Sequence, residues 1–424
     1  MKYVKLALAV IASLLLWAGL VFAALDQGWG HSPLARNDDI AEFAIAAQEI
    51  AQKNNAGNLS FTLLEHGMKV AEFHLSKDRI VDGQSVFQVA SLGKWLTAWG
   101  IMTLVEEGEI DLDAPVSKYL SRWQIPASQF DASGVTVRRL LSHTAGLTDN
   151  LGYDGFDTAG DRQTLEASLT KAADASPGKD GQTLLGREPG SAWQYSGASY
   201  TLLQLLIEEV SGKDFPEFMH HRVFAPMDMN RSTFDHSEAI ELGLVQNFTP
   251  DGKTEPFRWY TALAATSLFT TSEDLARFIA RQGPGSTNPV LTREAIALTR
   301  TPHASDMGAE IWGLGAMLYA PNNSGDFIIG HDGSNEPAIN TSARLDPATG
   351  DGIVILSTGT PMLATQLAGE WVFWKTGNVD SLSFASRLPT ALAVFAGGTL
   401  VILIGVPLAI WLRTRSSKRP RRGD

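Results

Sequence analysis

Val86-Phe87-Gln88-Val89-Ala90-Ser91-Leu92-Gly93-Lys94 is the stretch on which the reading of this chain turns, an extended run passing into an apolar run of helical length, Trp95 to Val105. Ser91 and Lys94 stand three residues apart, and positions i and i+3 share one face of a helix. Ser91 would open a buried helix, where free backbone N–H groups and the helix dipole favour developing negative charge. A hydroxyl beside a buried amine is one way to make an alcohol nucleophilic. The same residues also suit a helix N-cap with a snorkelling lysine, and spacing alone does not choose between the two. The spacing recurs at Ser168/Lys171, in a polar alanine-rich stretch read as surface, and at Ser176/Lys179, where Pro177-Gly178 cannot continue a helix.

Working outward, the chain has 424 residues, 44% of them hydrophobic, enough for one large core or two packed lobes. It contains no cysteine, so neither disulfides nor thiolate metal sites contribute. Lys2 and Lys5 precede an uncharged run from Leu6 to Leu25, with Val21-Phe22-Ala23 offering small residues for a signal peptidase. Ala391 to Leu412 is a second apolar run of spanning length, followed by Arg413, Arg415, Lys418, Arg419, Arg421 and Arg422. Positive charge stays inside, so both termini are expected in the cytoplasm and residues from about Ala24 to Arg387 outside it. Without the eight basic residues of the end segments and Asp424, 26 basic residues face 45 acidic ones, which argues against nucleic acid as a partner. The expected organisation is a signal peptide or signal-anchor over 1–25, a single large domain over 33–377, a tether over 378–390, a membrane helix over 391–412 and a basic cytoplasmic tail over 413–424.

Asp38 and Asp39 precede a helical pattern through Gln52, and Leu59–Glu65 and Lys69–Leu75 read as a hairpin joined at His66-Gly67. Helical signals dominate from Ser91 to about Thr299, clearest over Ser199–Val210, Phe215–Val223, Ser272–Arg281 and Arg293–Thr299. Strands return over Ile311–Ala320, Asp326–Gly330, Ile339–Leu345 and Gly352–Ser357, and a helix over Met362–Lys375 closes the domain. Strands at both ends with helices between predict an α+β, two-lobed fold. Its antiparallel sheet is flanked by helices and built from both ends of the domain, a mainly helical lobe is inserted, and terminal transmembrane helices are added.

Ser91-x-x-Lys94, Tyr195-Ser196-Gly197 and His331-Asp332-Gly333, in that order, resemble the three motifs of the serine hydrolases related to class C β-lactamases, low-molecular-weight penicillin-binding proteins and some esterases. Supporting stretches resemble the same family: Leu140-Leu141-Ser142-His143-Thr144-Ala145-Gly146-Leu147, Glu188-Pro189-Gly190, and Ser272-Glu273-Asp274-Leu275-Ala276-Arg277-Phe278. The resemblance runs from about Asp38 to Lys375 and implies the β-lactamase/transpeptidase-like fold. It also implies that Ser91 Oγ attacks a carbonyl and forms an acyl-enzyme that water hydrolyses. Burial would lower the pKa of Lys94 so that it accepts or relays the serine proton, and Tyr195 would act as base and then protonate the leaving group. The backbone N–H groups of Ser91 and Ser334 would form the oxyanion hole. A literal Lys375-Thr376-Gly377 fits a helix C-terminus better than a strand motif. His143 is expected to be structural, and His220-His221 lack metal-ligand spacing, so neither a metal nor a cofactor is expected.

Departures from the family pattern bear on substrate. His331 stands where many relatives carry lysine, and supplies positive charge only when protonated. Gly197 replaces an asparagine whose amide would bind a substrate amide. Gly333 would let substrate approach the strand closely, and Asp332, if it faces the cleft, would repel a substrate carboxylate. Pro337 is expected to reshape the rim near Asn335-Glu336. These residues favour esters or amine-bearing peptides as small-molecule or peptide substrates with a reactive carbonyl, over β-lactams and D-alanine carboxylates. Alternatives are a cell-wall D,D-peptidase or true class C β-lactamase, or a catalytically silent module binding muropeptides or a membrane partner. Oligomeric state is left open.

Overall fold

The computed structural model of the chain describes residues 2–36, 38–148, 152–335 and 339–416. Two compact units emerge, one over residues 34–376 and one made of the terminal segments 1–33 and 377–424. In the terminal unit, α1 (Lys2–Asp26) and the C-terminal helix Ser381–Ser416 are both long and apolar enough to cross a membrane. The stretch expected as a tether is helical from Ser381, with the Asp380 carboxylate accepting from Leu382 N–H (2.9 Å) and Ser383 N–H (3.0 Å) as its cap. The expected Arg413 and Arg415 fall within that helix, and Lys418, Arg419, Arg421 and Arg422 lie outside the described residues.

The larger unit begins with α2 (Ile40–Asn54), where the Asp39 carboxylate accepts the Glu42 N–H at 3.0 Å. The hairpin β1 (Leu59–Glu65) and β2 (Met68–Leu75) turns at His66 and Gly67, both at positive φ (52° and 76°), as a two-residue turn matched to strand twist demands. After it, α3 (Gly93–Glu106), α4 (Gly197–Ser211), α5 (Leu263–Thr266) and α6 (Ser272–Ala280) are the helices that matter for the site. The chain then returns to strands: β3 (Ala304–Asp306), β4 (Ala309–Trp312), β5 (Met317–Pro321), β6 (Phe327–Asn335), β7 (Ile339–Leu345) and β8 (Gly352–Thr358). The helix α7 (Leu363–Thr376) closes the unit, and Ser381–Ser416 becomes α8.

Among the described residues the main sheet has eight strands in the order β2-β1-β8-β7-β6-β5-β4-β3, and its pairs are antiparallel. The α+β sheet expected from both ends of the domain is therefore present, with β1 zipped to β8 at Phe61↔Ile355. Register sorts residues onto two faces. Ser60, Leu356, Thr341 and Gly333 form one cross-strand row; Phe61, Ile355, Ser342 and Asp332 form the adjacent row, on the other face. The first face meets α6, whose Ser272 Oγ lies 2.8 Å from Ser60 Oγ, and the second meets α7, whose Thr365 bonds Asn340. With both faces covered, β1, β7 and β8 read as nearly continuous buried runs.

Two strand boundaries differ from the sequence expectation. Ile311–Ala320 is two strands, because Gly315 takes φ +83° and the chain reverses between Trp312 and Met317. The strand expected over Asp326–Gly330 runs on to Asn335, which places His331-Asp332-Gly333 inside the sheet. Ser168, expected on the surface, is buried on the helix Leu165–Thr170. The helical region packs around α3, buried from Gly93 to Leu104, with Trp95 and Trp99 edge-on to Phe278 at 4.9 and 4.8 Å.

Candidate active site

Ser91 lies in a single 3-10 turn, Ala90–Leu92, and α3 begins only at Gly93, so the serine precedes the helix rather than capping it; its side chain makes no capping bond. Ala90 takes φ +48°, a left-handed conformation costing a non-glycine residue about 1 kcal/mol, and its methyl packs on Ile339. Lys94 is 2% exposed, its Nζ donating to Ser91 Oγ at 3.0 Å and to the Ala265 carbonyl of α5. The same ammonium sits 5.1 Å from the Tyr195 ring centroid and 5.6 Å from that of Tyr200. Of these two phenols, Tyr200 is fully buried, its hydroxyl bound to the Leu141 carbonyl at 3.2 Å, and burial pushes its pKa well above the ordinary value. Tyr195 is only partly buried.

The tyrosine loop is held by His143. This residue takes φ +57°, accepts the Gln194 N–H on its carbonyl (2.8 Å) and the Ser196 N–H on its ring Nδ1 (3.1 Å), and lays its ring 4.4 Å from Tyr195. Burial and the Lys94 charge hold its pKa well below the usual histidine value, so it is neutral, with Nδ1 the acceptor. Trp312 of β4 packs edge-on against His143 (4.8 Å) and Tyr195 (5.7 Å), and its Nε1 donates to the same Leu141 carbonyl that Tyr200 uses, at 3.2 Å. Ser196 then caps α4 by accepting the Ser199 N–H at 3.0 Å, and Gly197 is the buried first residue of that helix.

The β6 motif departs from the sequence expectation in three ways. His331 is 1% exposed and donates from Nδ1 to the Asp332 carbonyl at 2.6 Å. Burial, reinforced by Lys94, lowers its pKa to about 3, so it is a neutral imidazole and supplies no positive charge. Asp332 points to the opposite face of the sheet. Its carboxylate accepts from Tyr319 Oη (2.7 Å) and Ser342 Oγ (2.6 Å) and lies 3.4 Å from Arg344 Nη2, so it does not face the cleft and repels nothing there. Gly333 is needed by the protein itself, since a Cβ there would sit 2.0 Å from the Val89 carbonyl and 3.1 Å from Leu92 N. The bare glycine lets β6 lie directly against the Ser91 turn, and Ser334, exposed, follows it in the strand. Pro337 and Glu336 lie outside the described residues.

A family model described as Beta-lactamase matches residues 47–371. The chain belongs to the beta-lactamase family. Among relatives, Penicillin-binding protein 4* of Bacillus subtilis (strain 168) is 31% identical over 175 residues, 40% of this chain and 35% of the relative. Esterase EstB of Burkholderia gladioli is 30% identical over 186 residues, 41% of this chain and 44% of the relative. The chain thus spans less than half the length of these two curated relatives. The octameric penicillin-binding protein homologue from Pyrococcus abyssi is similar in structure, with a TM-score of 0.65 and 23% identity over 83% of this chain and 77% of the other. The beta-lactamase family comprises serine acyl-hydrolases, so the fold and the reaction class agree with the motifs in the Ser91 turn and the Tyr195 loop.

The structure brings Ser91 and Tyr195 to the Lys94 ammonium, places His331 5.4 Å from the Trp312 ring, sets Gly333 behind the Ser91 turn, and sends Asp332 elsewhere. Sequence reading missed Trp312, the Ala265 and Leu141 carbonyls and the Tyr260 hydroxyl, which bonds Asn335 at the end of β6. Main-chain carbonyls leave no residue-type signal, and Trp312 lay inside what read as one uninterrupted strand. The Lys375-Thr376-Gly377 triplet is a helix end, as expected, with Lys375 paired to Asp351 at 2.7 Å and Gly377 at φ +73°.

Proposed function

We propose that this protein is a membrane-anchored, extracytoplasmic serine acyl-hydrolase. Its substrates are esters or amides whose leaving group carries no free carboxylate beside β6. The observation that carries the reading is the 3.0 Å contact between Lys94 Nζ and Ser91 Oγ, in a buried setting shared with the Tyr195 ring. Ser91 Oγ attacks the carbonyl carbon; its proton passes to Tyr195, reacting as the phenolate, either directly or by relay through the Lys94 ammonium, which gives up one proton as it receives the other; the tetrahedral oxyanion is held by the N–H groups of Ser91 and Ser334. As the carbonyl reforms, the bond to the leaving group breaks, and Tyr195 returns the proton to that leaving oxygen or nitrogen. Water then attacks the acyl-Ser91 ester by the reverse proton path, releasing the acid and restoring the serine hydroxyl.

Substrate preference rests on β6. A buried neutral His331 offers no cation to a substrate carboxylate, which would be desolvated there without a partner. The name of the B. subtilis relative supports a second reading, acylation by penicillin-type β-lactams. Turnover of p-nitrophenyl esters, D-amino acid amides and nitrocefin by the full chain separates the two. Ester or amide hydrolysis at least about tenfold faster than nitrocefin, a difference of ~1.4 kcal/mol in barrier, supports the proposal. Fast nitrocefin hydrolysis without esterase or amidase activity contradicts it.

A further inference from the structure

The apolar N-terminal segment reads equally as a cleavable signal or a lasting anchor, and the terminal unit offers grounds to choose. Along α1 the half-buried positions Ser13, Trp17, Val21 and Ala24 recur every three or four residues, while Leu15, Leu16 and Leu20 between them are exposed. Along α8 the half-buried Ala391, Phe395, Gly398 and Ile402 repeat in the same rhythm, with Leu400, Val401 and Ile404 exposed. Two matching seams at that spacing are what side-by-side helices require. The hydrophobic core of a signal sequence needs length and apolarity but no seam.

The seam is filled by one residue in particular. Trp17 lies flat in a notch at Gly398, where a Cβ would stand 2.3 Å from the indole Cε2. Its Nε1 reaches across to donate to the Phe395 carbonyl at 3.1 Å. Phe22 meets Phe384 edge-on at 6.2 Å. Rising numbers on α1 meet falling numbers on α8, so the pair is antiparallel. In lipid, helices gain little from apolarity alone and associate through small residues that admit close packing and through polar groups that find partners across the seam. An indole N–H in hydrocarbon is costly unless bonded, and here the bond goes to the other helix. Removal of residues 1–23 would strip Trp17 from the Gly398 notch.

We infer that the N-terminal helix is retained and pairs with the C-terminal helix as an antiparallel transmembrane hairpin, seated by Trp17 on Gly398. The inference is independent of the hydrolase reading, since it concerns only the terminal unit. Intact-mass measurement of the full chain purified from membranes tests retention directly: a mass that includes the N-terminal helix is the expected result, and loss of about the first 23 residues, as the small-residue rule for signal peptidase would give, overturns it.

Pairing is tested by disulfide trapping, for which the cysteine-free chain is a clean background. Val21→Cys with Ala391→Cys, which line one groove between the helices, is expected to form a bond on mild oxidation. Leu15→Cys with Leu392→Cys, both facing outward, is not. Gly398→Leu is expected to cut trapping of the first pair several-fold while ester hydrolysis, which reports the fold of residues 34–376, stays unchanged. An intact chain that traps neither pair, traps both equally, or traps the first pair undiminished in Gly398→Leu contradicts the hairpin.

Discussion

Two buried imidazoles at the site carry consequences for pH. His331 and His143 are neutral in the fold, and an unfolded histidine takes up a proton near pH 6.5. Their folded pKa values are depressed, so the unfolded state binds more protons below pH 6.5, and stability falls as pH drops from there toward about 3 for His331. Between pH 6.5 and 5 the loss from His331 is about 2 kcal/mol, and His143 adds to it in the same direction. Denaturant unfolding across that range checks it, and His331→Gln is expected to flatten the slope. Asp174 behaves oppositely. It is 5% exposed, both its oxygens lack hydrogen-bond partners, and burial with the Asp154 charge raises its pKa to about 6, while the nearby N–H groups of Asp174 and Gly155 pull the other way without reaching bonding geometry. Its penalty appears as pH rises above the ordinary carboxylate value, so Asp174→Asn is expected to stabilise the protein by roughly 2–3 kcal/mol at pH 7 and little at pH 4. At His143, removal of the ring releases the Ser196 N–H and the stacking partner of Tyr195. His143→Ala is expected to lower kcat about 10- to 100-fold with a smaller change in KM, because it misplaces Tyr195, the proposed proton-transfer group, rather than a binding contact. His143→Asn, able to accept the same N–H, is expected to recover part of the rate.

At the scale of elements, β6 is the part of the site that most depends on what lies behind it. Asp332 is tied to Arg344, which is fully buried, stacked 3.9 Å from the Tyr319 ring and bonded to Ser342 Oγ at 3.2 Å. This network sits opposite His331 and Gly333 and fixes the strand from its rear face. Breaking a buried pair from one side costs about 3–5 kcal/mol, because the other charge is left without compensation. Arg344→Met is therefore expected to destabilise strongly, and Arg344→Met with Asp332→Asn to recover a large part of the loss; equal melting temperatures for the single and double variants would refute the pairing. The same strand shows where sequence reading stops. Alternation tells that neighbours face opposite ways, but not which of His331 and Asp332 turns to the cleft, since both are polar and either face could bury one. Only the register Gly333↔Thr341, with the Ser91 turn on that side, decides it. The helix at α3 and the hairpin at His66-Gly67 were legible because their signals are local. The break at Gly313 to Ala316 was not, because the apolar residues on either side, Ile311-Trp312 and Met317-Leu318-Tyr319, masked the turn.

For the whole molecule, the division at residues 33/34 and 376/377 predicts that the larger unit folds alone. A chain of residues 34–376 is expected to be soluble without detergent and to keep ester hydrolysis within about twofold of the full protein, since each proposed catalytic group and its supporting contacts lies inside it. Sedimentation of the truncated chain with membranes, or loss of its activity, would show that the terminal helices do more than anchor. The ordered set of motifs from Ser91 to Gly333 was readable without a structure because their order along the chain and residues such as Ser91, Lys94, Tyr195 and Gly333 carry the pattern despite the departures at Gly197 and His331; the positions of Trp312, Leu141 and Ala265 depend on long-range packing and were not. The central claim is that Ser91 forms an acyl-enzyme, and intact-mass spectrometry of the full protein mixed with a slow p-nitrophenyl ester tests it most directly. One acyl adduct per chain, mapped to the Ser91 peptide, lost in Ser91→Ala and strongly slowed in Lys94→Ala, is the predicted result. Turnover without an adduct on Ser91, or undiminished labelling of Ser91→Ala, would contradict it.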